Sequence, residues 1–223
     1  MSTHFAVAIL LGSLVLQSPR DATSALPIVT VGVHPGSAVS SEVVTGILEE
    51  AAEIWRPAGI DVRWRGADRD CAAVRVRFDD DGGATHKRAE ALGWILFEAH
   101  GPVPEIHLLP RNAMSLMRAE KGALVSRMTV MELETLLSRA LGRALAHELG
   151  HYLLESRQHT RTGLMQSHLG ASQFFGTGRD AFTLDPAQRA VVAARMTTMA
   201  SQRRAGASLR HRLESRITNP ELR

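Results

Sequence analysis

The spacing of apolar residues changes period along the chain, and the changes mark its elements. Phe5 to Leu16 (FAVAILLGSLVL) is a continuous apolar run. Pro27 to Val33 has strand composition and ends at the turn signal Pro35-Gly36. Val43, Val44, Ile47, Leu48, Ala51, Ile54 and Trp55 then recur at three and four. That period predicts a helix from Ser40 or Ser41, either of which can cap it, to about Arg56, where Pro57 and Gly59 stop it. Ile60 to Trp64 and Ala73 to Phe78 alternate apolar with polar, the second placing Val74, Val76 and Phe78 on one face. Leu92 to Phe97 and Ile106 to Leu109 read as two more strands. Together these predict an α/β lobe over roughly residues 27–110, a sheet with one early helix packed on it.

From Val130 to Glu155 the period becomes that of one long helix, with Leu133, Leu137, Ala140, Leu141, Ala144, Leu145 and Leu149 on one face. His147 and His151 continue this apolar stripe. A polar group left unsatisfied there costs a few kcal/mol, so the two imidazoles need partners: a metal, backbone carbonyls or waters. Past Glu155 the chain is polar and irregular, with Gly163, Gly170, Gly176 and Gly178 close together. Asp185-Pro186 supplies cap and first-turn residues for a final helix to about Met196.

Composition adds limits. The 223 residues, 44% hydrophobic and 22% charged, are those of a globular domain, placed at residues 26–200. The net charge is +3, and residues 201–223 hold six Arg against two Glu, so the rest is near neutral. No nucleic-acid surface is expected on the main domain, and 201–223 reads as a basic, solvated, flexible tail. Residues 1–25 read as a signal peptide, with Thr23 and Ala25 at cleavage-site spacing, although no Lys or Arg precedes the apolar run. This points to a secreted or periplasmic protein with no membrane span beyond that leader or anchor; no other stretch has the ~18 apolar residues a span needs. The sole cysteine, Cys71, excludes an intrachain disulfide and a multi-cysteine metal site. Asp79-Asp80-Asp81-Gly82-Gly83 lacks the ordered spacing of a calcium loop and reads as a solvated turn. His34, His86, His100 and His107 are scattered without ligand spacing.

Residues 147–151 read His-Glu-Leu-Gly-His. Positions four apart on a helix share a face, so His147 and His151 can grip one metal ion. Glu148 follows the first histidine, where its carboxylate can act as general base toward a metal-bound water, the H-E-x-x-H arrangement of zinc hydrolases. A catalytic zinc needs three protein ligands and an open position. One class of such enzymes takes a Glu from the next helix, but the helix expected from Asp185 to about Met196 contains none. Another takes a His just past the active-site helix. His159, eight residues beyond His151, suits that role, and His168 is the alternative.

With Gly163-Leu164-Met165 following, the chain resembles the metzincins, whose signature is H-E-x-x-H-x-x-G-x-x-H and then a methionine-bearing turn. The resemblance spans roughly residues 27–197. It implies an α+β, zincin-like catalytic domain: a mixed twisted sheet, two long helices, and a small C-terminal lobe ending in a helix. It implies one catalytic Zn²⁺ on His147, His151 and His159, Glu148 as base, and Met165 as the Met-turn residue. The sequence departs from the signature in two places. Leu154 stands where the family has glycine, and Arg157 stands where it has the third histidine, so the helix is expected to run on for about another turn before the chain bends back to His159. Tyr152 is the sole tyrosine, so no tyrosine follows the Met-turn as it does in astacin-type members.

The family also implies that an extended peptide pairs antiparallel with the edge strand of the sheet, for which Gly93, Trp94 and Ile95 are the candidates. The other reading of those residues is an ordinary sheet strand with Trp94 in the core. The expected function is zinc-dependent endopeptidase activity on a peptide or protein substrate. The alternatives are a zinc-stabilised binding module without turnover and a zinc hydrolase of a non-peptide amide.

Overall fold

The computed structural model describes residues 27–33, 39–65, 72–79 and 91–218. The leader at 1–25, Cys71, His34, His86 and the acidic run beyond Asp79 lie outside these residues. The elements are β1 (Ile28–Val33), α1 (Ser41–Trp55), a 3-10 turn (Arg56–Ala58), β2 (Asp61–Arg65), β3 (Val74–Phe78), β4 (Gly93–Glu98) and β5 (Gly101–Leu108). They continue with α2 (Pro110–Lys121), a 3-10 stretch (Gly122–Arg127), α3 (Val130–Leu154), α4 (Ala171–Phe175) and α5 (Pro186–Thr218). The fold is α+β. Its five strands form one mixed sheet in the order β2-β1-β3-β5-β4, in which only β4, at one edge, runs antiparallel to its neighbour.

Alternation decides which face of the sheet is covered. Val29, Val31, Val74, Val76, Ile106 and Leu108 are buried in the core that α1 and α3 help to form. The intervening residues Arg75, Arg77 and Glu105 form ion pairs, Arg75–Glu105 at 3.4 Å and Arg77–Glu105 at 3.7 Å. Burial of apolar surface, worth about 25 cal/mol per Å², drives this layering.

The two long helices are capped where their patterns begin. Ser40 Oγ accepts the Val43 amide at 3.3 Å, and Thr129 and Glu132 form a reciprocal capping box. They pack closely because Gly142 carries no side chain: a Cβ there would lie 2.8 Å from the Ile47 carbonyl oxygen and 2.6 Å from Glu50 Cβ. Trp55 Nε1 donates to the Ala146 carbonyl at 3.1 Å, which ties the end of α1 to the middle of α3.

A buried ion pair crosses the same interface. Arg143 is fully buried and its Nε meets Glu50 Oε1 at 2.8 Å, while Arg179 Nη2 meets Glu50 Oε2 at 2.6 Å. The Arg143 guanidinium also donates to the carbonyls of Gln173 and Gly178. Burial alone would raise the Glu50 carboxyl; the hydrogen bonds and charges of Arg179 and Arg143 outweigh it and hold it below the usual carboxylate range. The irregular segment after residue 160 is thereby fastened to the helix pair.

Three elements differ from the pattern-based expectation. β5 begins at Gly101 rather than Ile106, its first half disguised by Pro102 and Pro104. Pro104 lies opposite the register shift between Ile95 and Phe97, where a missing N–H breaks no regular ladder. Helix α2 was not expected at all. It opens with Pro110 at its first turn and buries only Ala113 and Met117, too few apolar positions to show a period. The final helix, expected to end near Met196, continues to Thr218, so residues 201–218 of the basic tail are helical. Arg, a good helix former, is the commonest residue of that extension, and no proline interrupts it before residue 220. Among the described residues, no helix is long and apolar enough to cross a membrane.

Candidate metal centre

Helix α3 carries His147, Glu148 and His151 within one turn. His147 Nδ1 lies 2.7 Å from the Leu164 carbonyl oxygen, and His151 Nδ1 lies 2.6 Å from that of Ser156. A carbonyl can only accept, so both Nδ1 atoms carry the proton and donate it. Each Nε2 is then the atom with a free lone pair, and the two Nε2 atoms sit 3.1 Å apart. Two lone pairs facing at that distance repel unless a cation lies between them. The separation is close to the roughly 3.3 Å expected for two nitrogens bound tetrahedrally at 2.0–2.1 Å from one ion. Backbone acceptors behind metal-binding imidazoles fix tautomer and ring orientation in this way.

The third histidine arrives through an unusual helix exit. Helix α3 does not run on for another turn: it ends at Leu154, because Glu155 takes a left-handed conformation with φ 49°, the only non-glycine positive φ among the described residues. Such a conformation costs an L-residue about 1–2 kcal/mol and is normally given to glycine. Here Arg195 Nη2 of α5 holds the Glu155 carboxylate at 2.7 Å. The turn presents the Ser156 carbonyl to His151 and leads the chain back to His159. The His159 ring lies 5.3 Å from that of His147 and 4.9 Å from that of His151.

His147, His151 and His159 each offer a ligand nitrogen, and the three lie within 4.8 Å of one another, close enough to hold a metal ion. His168, the alternative third ligand, lines the same cleft outside this cluster, with its Nδ1 2.9 Å from Ser167 Oγ.

The electrostatics suit a cation. Burial pushes His147 down to about 4, and burial also lowers His151 and His159, helped at His159 by the nearby His168. All three are therefore neutral imidazoles at pH 7, the form that binds metals. Burial pushes the Glu148 carboxyl up to about 8, since only 8% of the residue reaches solvent.

Met165 packs against Gly150, the helix residue just before His151. Gly163 turns with φ 84°, where a Cβ would meet the Thr183 carbonyl oxygen at 2.5 Å. The Leu164 amide donates to that same oxygen at 2.8 Å, and the Thr160 amide donates to the Met165 carbonyl at 2.8 Å. This small loop aims the Leu164 carbonyl at His147 and sets the fully buried Met165 sulfur against the backbone of Gly150.

Edge strand β4 borders the cluster. A cleft of about 1050 Å³ is lined by His147, Glu148, His151 and His159 together with Gly93, Trp94 and Ile95, the residues read from sequence as an edge strand. Gly93 lies beside the acid: a Cβ on it would come within 3.3 Å of Glu148 Cγ. Trp94 is half-buried and stacks on His107, ring centroids 3.7 Å apart.

Several contributors escaped the sequence pattern. The Leu164 and Ser156 carbonyls are backbone groups and leave no trace in residue type. Glu155 and Arg195 are forty residues apart and lack any shared motif. The signal available for the Glu50–Arg143 pair was a charged residue on each helix's apolar stripe. No family model matches the chain, and no curated protein matches it either. The centre is therefore interpreted from its own geometry.

Proposed function

We propose that this chain is a zinc-dependent metallopeptidase of metzincin-like architecture, hydrolysing peptide bonds with Glu148 as general base. One observation carries the reading. Three neutral histidines converge, two of them with their Nδ1–H groups already bound to carbonyls, and a buried carboxylate adjoins them in a cleft bordered by a sheet edge. A purely structural metal site would not need that carboxylate. The antiparallel edge strand, the packed pair α1 and α3, and the methionine set against Gly150 of the histidine-bearing helix support the metzincin-like description.

His147, His151 and His159 would hold the ion. A zinc ion so held supplies Lewis acidity, polarising a carbonyl and bringing its bound water toward a neutral pKa. Glu148 takes a proton from the attacking water and delivers it to the departing amine, while the water oxygen bonds to the carbonyl carbon and the C–N bond breaks. In the metal-free chain burial keeps the Glu148 carboxyl protonated up to about pH 8, and a cation held by the histidines would favour the carboxylate that acts as base. Gly93 leaves room for that carboxylate, and the exposed edge of β4 offers main-chain hydrogen bonds to an extended peptide. Export through the leader at 1–25 belongs to the same reading.

The test combines zinc content with cleavage of casein and quenched peptides by wild type and Glu148→Ala. One bound zinc per chain in both, and turnover only in wild type, is the expected result. A zinc-loaded wild type that hydrolyses no amide identifies a binding module instead, and undiminished activity in Glu148→Ala removes Glu148 as the base.

A further inference from the structure

We propose that Arg157 makes the metal cleft selective for peptides with an acidic residue within about three positions on the N-terminal side of the scissile bond. The inference rests on the peptidase reading above and adds the substrate class.

The argument begins with the open edge of β4. The Leu109 amide donates to the Leu92 carbonyl at 2.9 Å, so in an antiparallel ladder Leu92 and Trp94 turn their backbone groups toward β5. The buried Gly93 and the half-buried Ile95 turn theirs away from β5, toward the side on which an added strand would pair. At Phe97 the availability ends. Its carbonyl oxygen already accepts from Arg157 Nη2 at 2.9 Å, and the Arg157 guanidinium carbon lies 4.9 Å from the centroid of the Phe97 ring. Arg157 therefore closes the strand-addition site at one end.

The same contact leaves a cation in the cleft. Arg157 is exposed and lines the cleft. Among the described residues that line it, Arg157 and Glu148 are the only ones with ordinarily charged side chains, the rest being apolar, neutral polar or histidine. Glu148 belongs to the chemistry. No carboxylate among the described residues pairs with Arg157: its contacts are the Phe97 carbonyl and the Phe97 ring. One Nη2 hydrogen bond uses only part of a guanidinium, which has five N–H donors in a planar fork. The stacking on Phe97 restrains that plane, and such a fork matches a carboxylate with two parallel hydrogen bonds.

Strand direction then fixes which side of the scissile bond is read. β4 runs from Gly93, beside Glu148, to Phe97, whose ring lies 6.4 Å from His151, and on to the Arg157 contact. A peptide antiparallel to it runs from the Arg157 end toward Glu148. Residues before the scissile bond therefore face Arg157, and at roughly 3.3 Å per strand residue the guanidinium is within two or three residues of the metal cluster. Arg157 is also the residue that occupies the family position of the third histidine, so the two-residue displacement of His159 frees this site for a different task.

Quenched peptides identical except for Glu or Gln at each of the three positions before the bond test this on the zinc-loaded full chain. Wild type should prefer Glu at one of these positions by about tenfold to a hundredfold in kcat/KM, the range expected for a charge-assisted pair. Arg157→Gln, whose amide can still donate to the Phe97 carbonyl, should erase the preference with zinc content and melting temperature unchanged. Arg157→Glu should shift it toward Lys. Equal cleavage of Glu and Gln peptides by wild type, or a preference that survives Arg157→Gln, overturns the inference. If wild type cleaves nothing, the peptidase reading fails on its own. Paired peptidyl hydroxamates carrying Glu or Gln then give the answer by calorimetry: equal affinity for the zinc-loaded chain overturns the assignment, and a Glu preference lost in Arg157→Gln upholds it.

Discussion

Replacing Gly150 with alanine sets two physical effects against each other. In an exposed helix the change stabilises by about 1 kcal/mol, because alanine has less backbone freedom to lose. Gly150 is buried, and a Cβ built on it falls inside the van der Waals sphere of the Met165 sulfur and 3.2 Å from its terminal methyl. The Trp55 ring stands 3.7 Å from the same point, and Met165 has no exposed surface into which it could swing. Overpacking of this kind costs about 1–3 kcal/mol, so the net loss should be about 1 kcal/mol after the helix gain. The strain does not stop at the sulfur. Met165 adjoins Leu164, whose carbonyl fixes His147, and loss of such a backing contact lowers metal affinity about tenfold to a hundredfold. Thermal unfolding of the metal-free protein measures the first effect, and competition with a chromophoric chelator measures the second. The same change in a Met165→Ala background, where the sulfur is gone, should be neutral or stabilising, which isolates the contact as a coupling energy. A Gly150→Ala protein that melts higher than wild type and holds zinc equally well would refute the reasoning.

Other consequences are as specific. The unfolded chain ionises Glu148 above about 4.5, whereas burial holds its proton to about 8, so this residue costs metal-free stability increasingly as pH rises between those values. Glu148→Gln should therefore raise the metal-free melting temperature by an amount that grows from pH 5 to pH 8, while zinc still binds and hydrolysis is lost. His147 acts in the opposite sense: below pH 6.5 the unfolded chain takes up a proton that the fold resists until about 4. Metal-free stability should fall across that window, and His147→Asn should flatten the decline in denaturant titrations at graded pH. Arg143→Met leaves the Gln173 and Gly178 carbonyls without their donor and Glu50 with Arg179 alone. It should cost about 3 kcal/mol in urea unfolding, the lower end for breaking a buried ion pair. Glu155→Ala should destabilise by about 1 kcal/mol, and Glu155→Gly should be neutral or slightly stabilising, since glycine relieves the left-handed conformation and the half-exposed pair with Arg195 is worth at most about 1 kcal/mol.

The parts of this structure that were legible in sequence are those written in local period. The α1 and α3 stripes, the alternation in β3 and the Ser40 cap all belong to short windows, and their positions agree with the pattern to within a residue or two. His147, Glu148 and His151 were legible for the same reason, because a helix converts a spacing of four into a shared face. What was not legible depends on distance along the chain. Helix α2 draws its stability from packing against its neighbours rather than from a stripe of its own. Arg143 finds Glu50 across 93 positions. The direction that the chain takes after Leu154 is set by Glu155 in a conformation its residue type disfavours, with a partner on α5 that no local window includes. Arg157 looks in sequence like one more surface cation; only the neighbouring strand shows that it closes an edge.

The left-handed exit at Glu155 bears on how spacing in such centres should be understood. An ion constrains where the second and third imidazoles finish, and it places no condition on the number of residues between them. The exit point sets the direction of the connecting strap, and the strap's length follows from it. Here the departure comes one residue later than the signature glycine, and a non-glycine residue makes the turn with an anchor from a distant helix. The strap then brings His159, eight residues past His151, to within 4.8 Å of the two helix histidines. Patterns that count a fixed number of residues from one histidine to the next thus describe a single solution of a geometric problem. Chains that solve it with another strap length are found by asking where the helix lets go.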